Sequence, residues 1–138
     1  MAFGYGVMLT PLQTLSYYNA VANNGELVMP RFVSAVKTLD GKNVKSYPKQ
    51  VINPAICSQE TIGKLQHLME GVVKNKWGTA HNIYDEKLAI AGKTGTCQID
   101  YTTDDVKYVA SFVGYFPAHN PTYSCIVVVH KPNKKIGY

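Results

Sequence analysis

The chain has 138 residues, a length that holds one ordinary domain and leaves no room for two. Apolar residues make up 46%, a normal globular share, and charged residues only 17% against a usual share of about 25%, which suits either an uncharged polar surface or a piece of a larger body whose faces belong against neighbours. The formal charge of +5 comes from thirteen lysines and one arginine, Arg31, scattered without a dense block or interleaved aromatics, a pattern that argues against a nucleic-acid partner.

Thr10-Pro11-Leu12-Gln13 predicts a helix start. Thr10 caps, Pro11 takes the first helical position where no amide hydrogen is needed, and Gln13 closes a capping box. The helix is expected to run to about Asn23 and stop at Asn24-Gly25, where glycine accepts a left-handed backbone. Phe32 to Leu39 reads as a strand, Asp40-Gly41 as a tight turn and Asn43 to Tyr47 as the returning strand, with Pro48 and Pro54 bracketing a connector. Ser58 signals a second helix whose Ile62, Leu65, Leu68, Met69, Val72 and Val73 form one stripe, ending near Lys74 and Lys76. Beyond Trp77-Gly78-Thr79 the character changes to strand. Leu88 to Ile99, Tyr108 to Phe116 and Tyr123 to His130 are three apolar or β-branched segments, the last two joined by the turn-rich Pro117-Ala118-His119-Asn120-Pro121. Helices first and strands later, with no βαβ rhythm, predict an α+β fold with an antiparallel sheet flanked by helices. No stretch approaches the roughly 18 apolar residues of a membrane span, and Met1 to Gly6 lacks the basic start and apolar core of a targeting signal.

The sharpest local feature is Ala91-Gly92-Lys93-Thr94-Gly95-Thr96-Cys97-Gln98. A phosphate loop would need a glycine at position 87, where Lys87 stands, and a strand-loop-helix context that Leu88 to Ile99 does not offer. The other reading is a Lys-Thr-Gly box on the active-site strand of a penicillin-recognising serine acyltransferase. On a strand, Lys93 and Gly95 face one way and Thr94 and Thr96 the other. Gly95 lets a substrate backbone lie close, Lys93 brings a positive charge beside a nucleophile, and Thr96 offers a hydroxyl to a carboxylate and a backbone N–H to an oxyanion.

The box does not stand alone. Gly4-Tyr5-Gly6-Val7, Thr10-Pro11-Leu12-Gln13, Ala22-Asn23-Asn24-Gly25, Pro30-Arg31-Phe32-Val33, Gly78-Thr79-Ala80, Gly92-Lys93-Thr94-Gly95-Thr96 and Ala110-Ser111-Phe112-Val113-Gly114-Tyr115-Phe116-Pro117, in this order, resemble the later part of the transpeptidase domain of class B penicillin-binding proteins. The likeness is greatest to division-type peptidoglycan D,D-transpeptidases. It implies an enzyme that cross-links stem peptides, or their lipid-linked precursors, through a serine acyl-enzyme that β-lactams also form. It further implies Lys93 and Thr96 as catalytic groups, and Lys93, Thr94, Gly95 and Thr96 as substrate-binding groups, with no metal or organic cofactor. The parent is expected on the outer side of the cytoplasmic membrane among cell-wall synthesis and division proteins.

That family uses three boxes, and one is visible here. Ser34-Ala35-Val36-Lys37 matches S-x-x-K, yet on a strand residues three apart point to opposite faces, so Lys37 does not serve Ser34. Tyr17-Tyr18-Asn19 matches a loose form of the S-x-N box but falls inside the first helix. Residues 1–138 are therefore expected to be the C-terminal portion of one transpeptidase domain, with the serine-bearing half and a final helix absent. Two rival readings are a related carboxypeptidase or β-lactamase and a non-catalytic interaction module. A partial domain is also expected to expose an apolar patch or to self-associate.

Other candidates read as structural. Asp85-Glu86 and Asp104-Asp105 are adjacent carboxylates in polar loops, expected to be solvated. Cys57, Cys97 and Cys125 form no C-x-x-C pair, and His67, His81, His119 and His130 have no helical i, i+4 partner, which argues against zinc. Cys97 and Cys125 are expected on strands separated by a third, too far apart to bridge. Tyr108, Phe112, Tyr115 and Phe116 read as sheet packing, and His119 as a turn residue.

Overall fold

The computed structural model describes residues 7–99 and 107–132. Helix α1, Pro11–Ala22, begins with the capping box foreseen: the Gln13 N–H donates to the Thr10 hydroxyl oxygen, and the Thr10 N–H donates to Gln13 Oε1 at 2.8 Å. It ends where Asn24 and Gly25 both adopt positive φ, 52° and 92°, and the Gly25 N–H closes on the Ala20 carbonyl. Helix α2, Gln59–Lys74, is capped by the Ser58 hydroxyl, which accepts from the Thr61 N–H.

Between the helices the chain forms two small antiparallel pairs. Strands β1, Leu27–Val28, and β4, Val51–Asn53, pair with each other, as do β2, Ala35–Lys37, and β3, Asn43–Ser46. The sequence anticipates the second pair but overstates its first strand. Phe32 and Val33 are exposed and unpaired, so apolar character there has no sheet to extend. The connector bracketed by Pro48 and Pro54 also contains β4, a strand too short to show alternation.

The main sheet has the order β5–β6–β7, with β5 Ala91–Ile99, β6 Lys107–Phe116 and β7 Tyr123–His130, all antiparallel. This is the expected layout, except that β5 begins at Ala91 instead of Leu88. A single turn of 3-10 helix, His81–Ile83, precedes it where the sequence suggested strand character. Cross-strand register sorts the side chains into two faces. Rows Ala91/Tyr115/Ser124, Lys93/Val113/Ile126 and Gly95/Ser111/Val128 share one face; rows Gly92/Gly114/Cys125, Thr94/Phe112/Val127 and Thr96/Ala110/Val129 share the other.

Both helices pack on the first face. Val21 and Ala22 of α1, Met69 of α2, and Ala91 and Tyr115 of the sheet make the core cluster, and the Ser124 hydroxyl donates to Asn19 Oδ1 at 3.0 Å. The Tyr17-Tyr18-Asn19 match is thus a packing segment, with Asn19 tying α1 to β7. The stripe of α2 divides: Ile62, Met69 and Val73 are buried, whereas Leu68 is 65% exposed and looks into a cleft beside the core. On the reverse face Phe112 lies across Gly92, where a Cβ would stand 2.3 Å from its ring, while Val127 and Val129 are exposed. The expected apolar exposure is therefore present, on the reverse face and along the cleft. Tyr115 is core, and the ring of Phe116 packs on Tyr123 at 5.6 Å. No described helix is long and apolar enough to cross a membrane.

Candidate active site

Among the described strands, β5 has one edge paired with β6 and the other open. The Lys93-Thr94-Gly95-Thr96 run lies in the middle of this edge strand, and the alternation read from sequence holds: Lys93 and Gly95 share the helix-bearing face, Thr94 and Thr96 the reverse. Lys93 and Thr96 are exposed and Thr94 is half-buried, so the run is accessible. The Lys93 ammonium donates to the Thr94 carbonyl oxygen at 2.7 Å, which holds the charge against the strand.

Lys93 also stands at the margin of an open cleft of about 780 Å³ between α1 and α2. Its walls include Tyr17, Leu65, Leu68, Val72 and Trp77, the last 84% exposed. Thr94 and Thr96 do not line it. The cleft is thus an apolar recess next to the lysine, and the polar run lies on the strand edge beside it.

Gly95 has two reasons to lack a side chain. A Cβ there would stand 2.7 Å from the Ser111 hydroxyl oxygen, which donates to the Gly95 carbonyl at 3.3 Å, and it would meet no other atom within 4 Å. The glycine accommodates its own sheet neighbour as well as keeping the strand open. Sequence reasoning credited it with the second role alone.

A further contact had no sequence signal. The Thr79 and Thr94 hydroxyl oxygens lie 2.8 Å apart. Thr79 belongs to Gly78-Thr79-Ala80, noted above only as a point of resemblance. The segment is pressed against the end of α2 by the Ala80 N–H, which donates to the Val72 carbonyl at 3.1 Å, and by the Gly78 N–H, which donates to Asn75 at 2.8 Å.

The remaining candidates lie elsewhere. Ser34 immediately precedes β2 and Lys37 ends it, both exposed on an extended segment, so the pattern match does not bring their side chains to one site. Asp85 and Glu86 are exposed, and Asp85 accepts from the Lys87 N–H at 2.7 Å. Asp104-Asp105 falls outside the described residues. The three cysteines are free thiols, and among the described residues no cluster of His, Cys, Asp and Glu is arranged to hold a metal. His119 sits in the β6–β7 turn with Nε2 3.9 Å from Glu70.

The penicillin binding protein transpeptidase domain model matches residues 1–138, the whole chain. The chain belongs to this transpeptidase family. Stage V sporulation protein D of Bacillus subtilis is 33% identical over 144 residues, which cover 99% of this chain and 21% of that protein. The peptidoglycan D,D-transpeptidase FtsI of Buchnera aphidicola is 27% identical over 140 residues, covering 100% of this chain and 23% of that one. Among solved structures, penicillin-binding protein 3 of Mycobacterium tuberculosis complexed with aztreonam superposes with a TM-score of 0.80 at 29% identity, covering 94% of this chain and 30% of its own. The chain therefore spans about a fifth to a third of the length of these relatives. Its α+β architecture, with antiparallel strands and helices on the sheet, is that of the solved penicillin-binding proteins.

Proposed function

We propose that this transpeptidase chain supplies the substrate-binding wall of a serine peptidoglycan D,D-transpeptidase whose nucleophile lies in a part of the domain outside these residues. One observation carries the reading: Lys93-Thr94-Gly95-Thr96 occupies the open edge of β5 in a chain that matches the transpeptidase family throughout. In the reaction, a serine oxygen attacks a peptide carbonyl of one stem peptide, the peptide C–N bond breaks, and the leaving amine takes a proton. The resulting ester is then attacked by the amine of a second stem peptide, which restores an amide and frees the serine.

This chain's residues contribute electrostatics and position. Lys93 favours the proton-depleted serine and the anionic intermediate, and is therefore catalytic in effect. Thr94 and Thr96 hydroxyls bind the carboxylate of the substrate or a β-lactam. The Thr96 N–H is one oxyanion donor, a role worth about 3 kcal/mol in such sites. Gly95 admits the substrate backbone against β5. Cell-wall synthesis and division proteins are the expected company of the parent, with its membrane anchorage supplied by other parts of the polypeptide.

Labelling with a fluorescent penicillin tests the reading. Residues 1–138 alone should take up no covalent label, whereas the polypeptide carrying the serine-bearing region should label stoichiometrically. Stoichiometric labelling of the 138-residue chain would overturn the assignment and return Ser34 to consideration.

A further inference from the structure

Thr79 makes the one side-chain contact that reaches the Lys93-Thr94-Gly95-Thr96 run from outside the sheet among the hydrogen bonds of the described residues. Its hydroxyl oxygen is 2.8 Å from that of Thr94. The contact is built in from both sides. The Ala80 N–H donates to Val72, the Gly78 N–H to Asn75 and the His81 N–H to Gly78, so the backbone on each side of Thr79 is fixed to the end of α2. His81 adds its ring, with Nδ1 3.1 Å from the Val73 carbonyl. A Cβ at Gly78 would stand 2.2 Å from the Val72 carbonyl oxygen, so this approach is closer than any side chain at that position permits. Thr79 itself is β-branched and stiff at χ1.

The hydrogen count then decides the direction of the contact. A hydroxyl carries one hydrogen and two lone pairs, so in a pair of hydroxyls one donates and the other keeps its hydrogen for something else. A carboxylate only accepts. If Thr94 binds a carboxylate, its hydrogen points to that carboxylate and Thr79 must be the donor of the pair. Accepting from Thr79 also polarises the Thr94 O–H and strengthens it as a donor. Thr94 is only half-buried, so a ligand on the β5 edge can meet its hydroxyl.

We propose that Thr79 is a positioning residue for the transpeptidase: it donates to Thr94 Oγ1 and thereby commits the Thr94 hydroxyl hydrogen to the carboxylate of the substrate or β-lactam. The assignment rests on the proposed function for the presence of that carboxylate. It adds a residue that touches neither the ligand nor the reacting atoms and acts through Thr94. The bland alternative is a brace that fastens the end of α2 to β5 with no bearing on the ligand.

The test uses the polypeptide as its gene encodes it, serine-bearing region included, and two probes: benzylpenicillin with its free carboxylate and the methyl ester of the same compound. Second-order acylation rate constants are measured for the parent, Thr79→Val and Thr79→Ser. Thr79→Val should slow acylation by the free acid about five- to tenfold, the loss of one oriented hydrogen bond to a charged group, while changing the ester rate by less than about twofold. Thr79→Ser, which keeps the donor, should recover most of the acid rate. Equal slowing on acid and ester, or no slowing on either, overturns the positioning role and leaves the brace. A parent acylated by neither probe overturns the transpeptidase reading itself, and the two failures are told apart by the parent alone.

Discussion

Gly78→Ala isolates the packing that aims Thr79 at β5. The added Cβ would stand 2.2 Å from the Val72 carbonyl oxygen, 2.7 Å from the Val72 carbonyl carbon and 2.8 Å from the Gly71 oxygen. All three are main-chain atoms of the last turns of α2, so no side chain can swing aside. Gly78 is outside the left-handed region, and on conformational grounds alanine would stabilise the chain by about 0.4–1 kcal/mol through a less disordered unfolded state. The steric effect opposes this. Relief to 3.0 Å requires the 77–80 segment to retreat by about 0.8 Å, which takes the Ala80 N–H beyond bonding range of Val72 and separates Thr79 from Thr94. Two hydrogen bonds at about 1 kcal/mol each outweigh the entropic gain, for a net loss of roughly 1–2 kcal/mol. Urea unfolding of the parent and variant measures it, and the melting temperature should fall by about 4–8 °C. A variant as stable as the parent, or more stable, refutes the close approach and removes the structural basis for Thr79's orientation.

Two other consequences are open to measurement. Burial, with a contribution from the Glu70 carboxylate, pushes the Tyr115 phenol up to about 12, while an unfolded tyrosine ionises near 10. Between those values the unfolded chain has lost a proton that the folded chain retains, so stability falls as pH rises through that window, by up to roughly 2–3 kcal/mol. Tyr115→Phe should flatten the decline seen in urea midpoints from pH 9 to 12; an unchanged slope contradicts the assignment. The thiols give the other: Cys97 is opposite Val109 and Cys125 opposite Gly114, on strands flanking β6 and on opposite faces of the sheet. The five-residue offset alone is roughly 17 Å, far beyond the reach of a disulfide. Mild oxidation should produce no intramolecular Cys97–Cys125 link in peptide mapping, and its appearance would refute the register.

The aromatic and apolar surface bears on the chemistry as well as on solubility. Trp77, Leu68 and Tyr17 border the cleft beside Lys93, and Val127 and Val129 lie on the reverse face of the sheet. Exposed apolar faces of this kind mark surfaces that meet other protein. They agree with the share of its relatives' length that the chain spans, and they make self-association of the isolated chain an expected behaviour.

Features whose causes are local were legible in the residues themselves. The capping box of Thr10 and Gln13, the stop at Asn24-Gly25, the Ser58 cap and the three long strands each depend on residues within a few positions of one another, where sterics and backbone hydrogen bonding act without reference to the rest of the fold. Period-two alternation also settled which of Lys93, Thr94, Gly95 and Thr96 share a face. Brief pairings escaped it: β1 and β4 are two and three residues long and are defined by each other, not by an internal pattern. Tertiary structure alone decided which side of the sheet the helices cover, which part of the α2 stripe is buried, and that Ser111 shares the space beside Gly95. It also brought Thr79 to Thr94. That contact joins residues fifteen apart through a turn folded onto the end of α2, and its geometry depends on a backbone approach that no spacing in the sequence records.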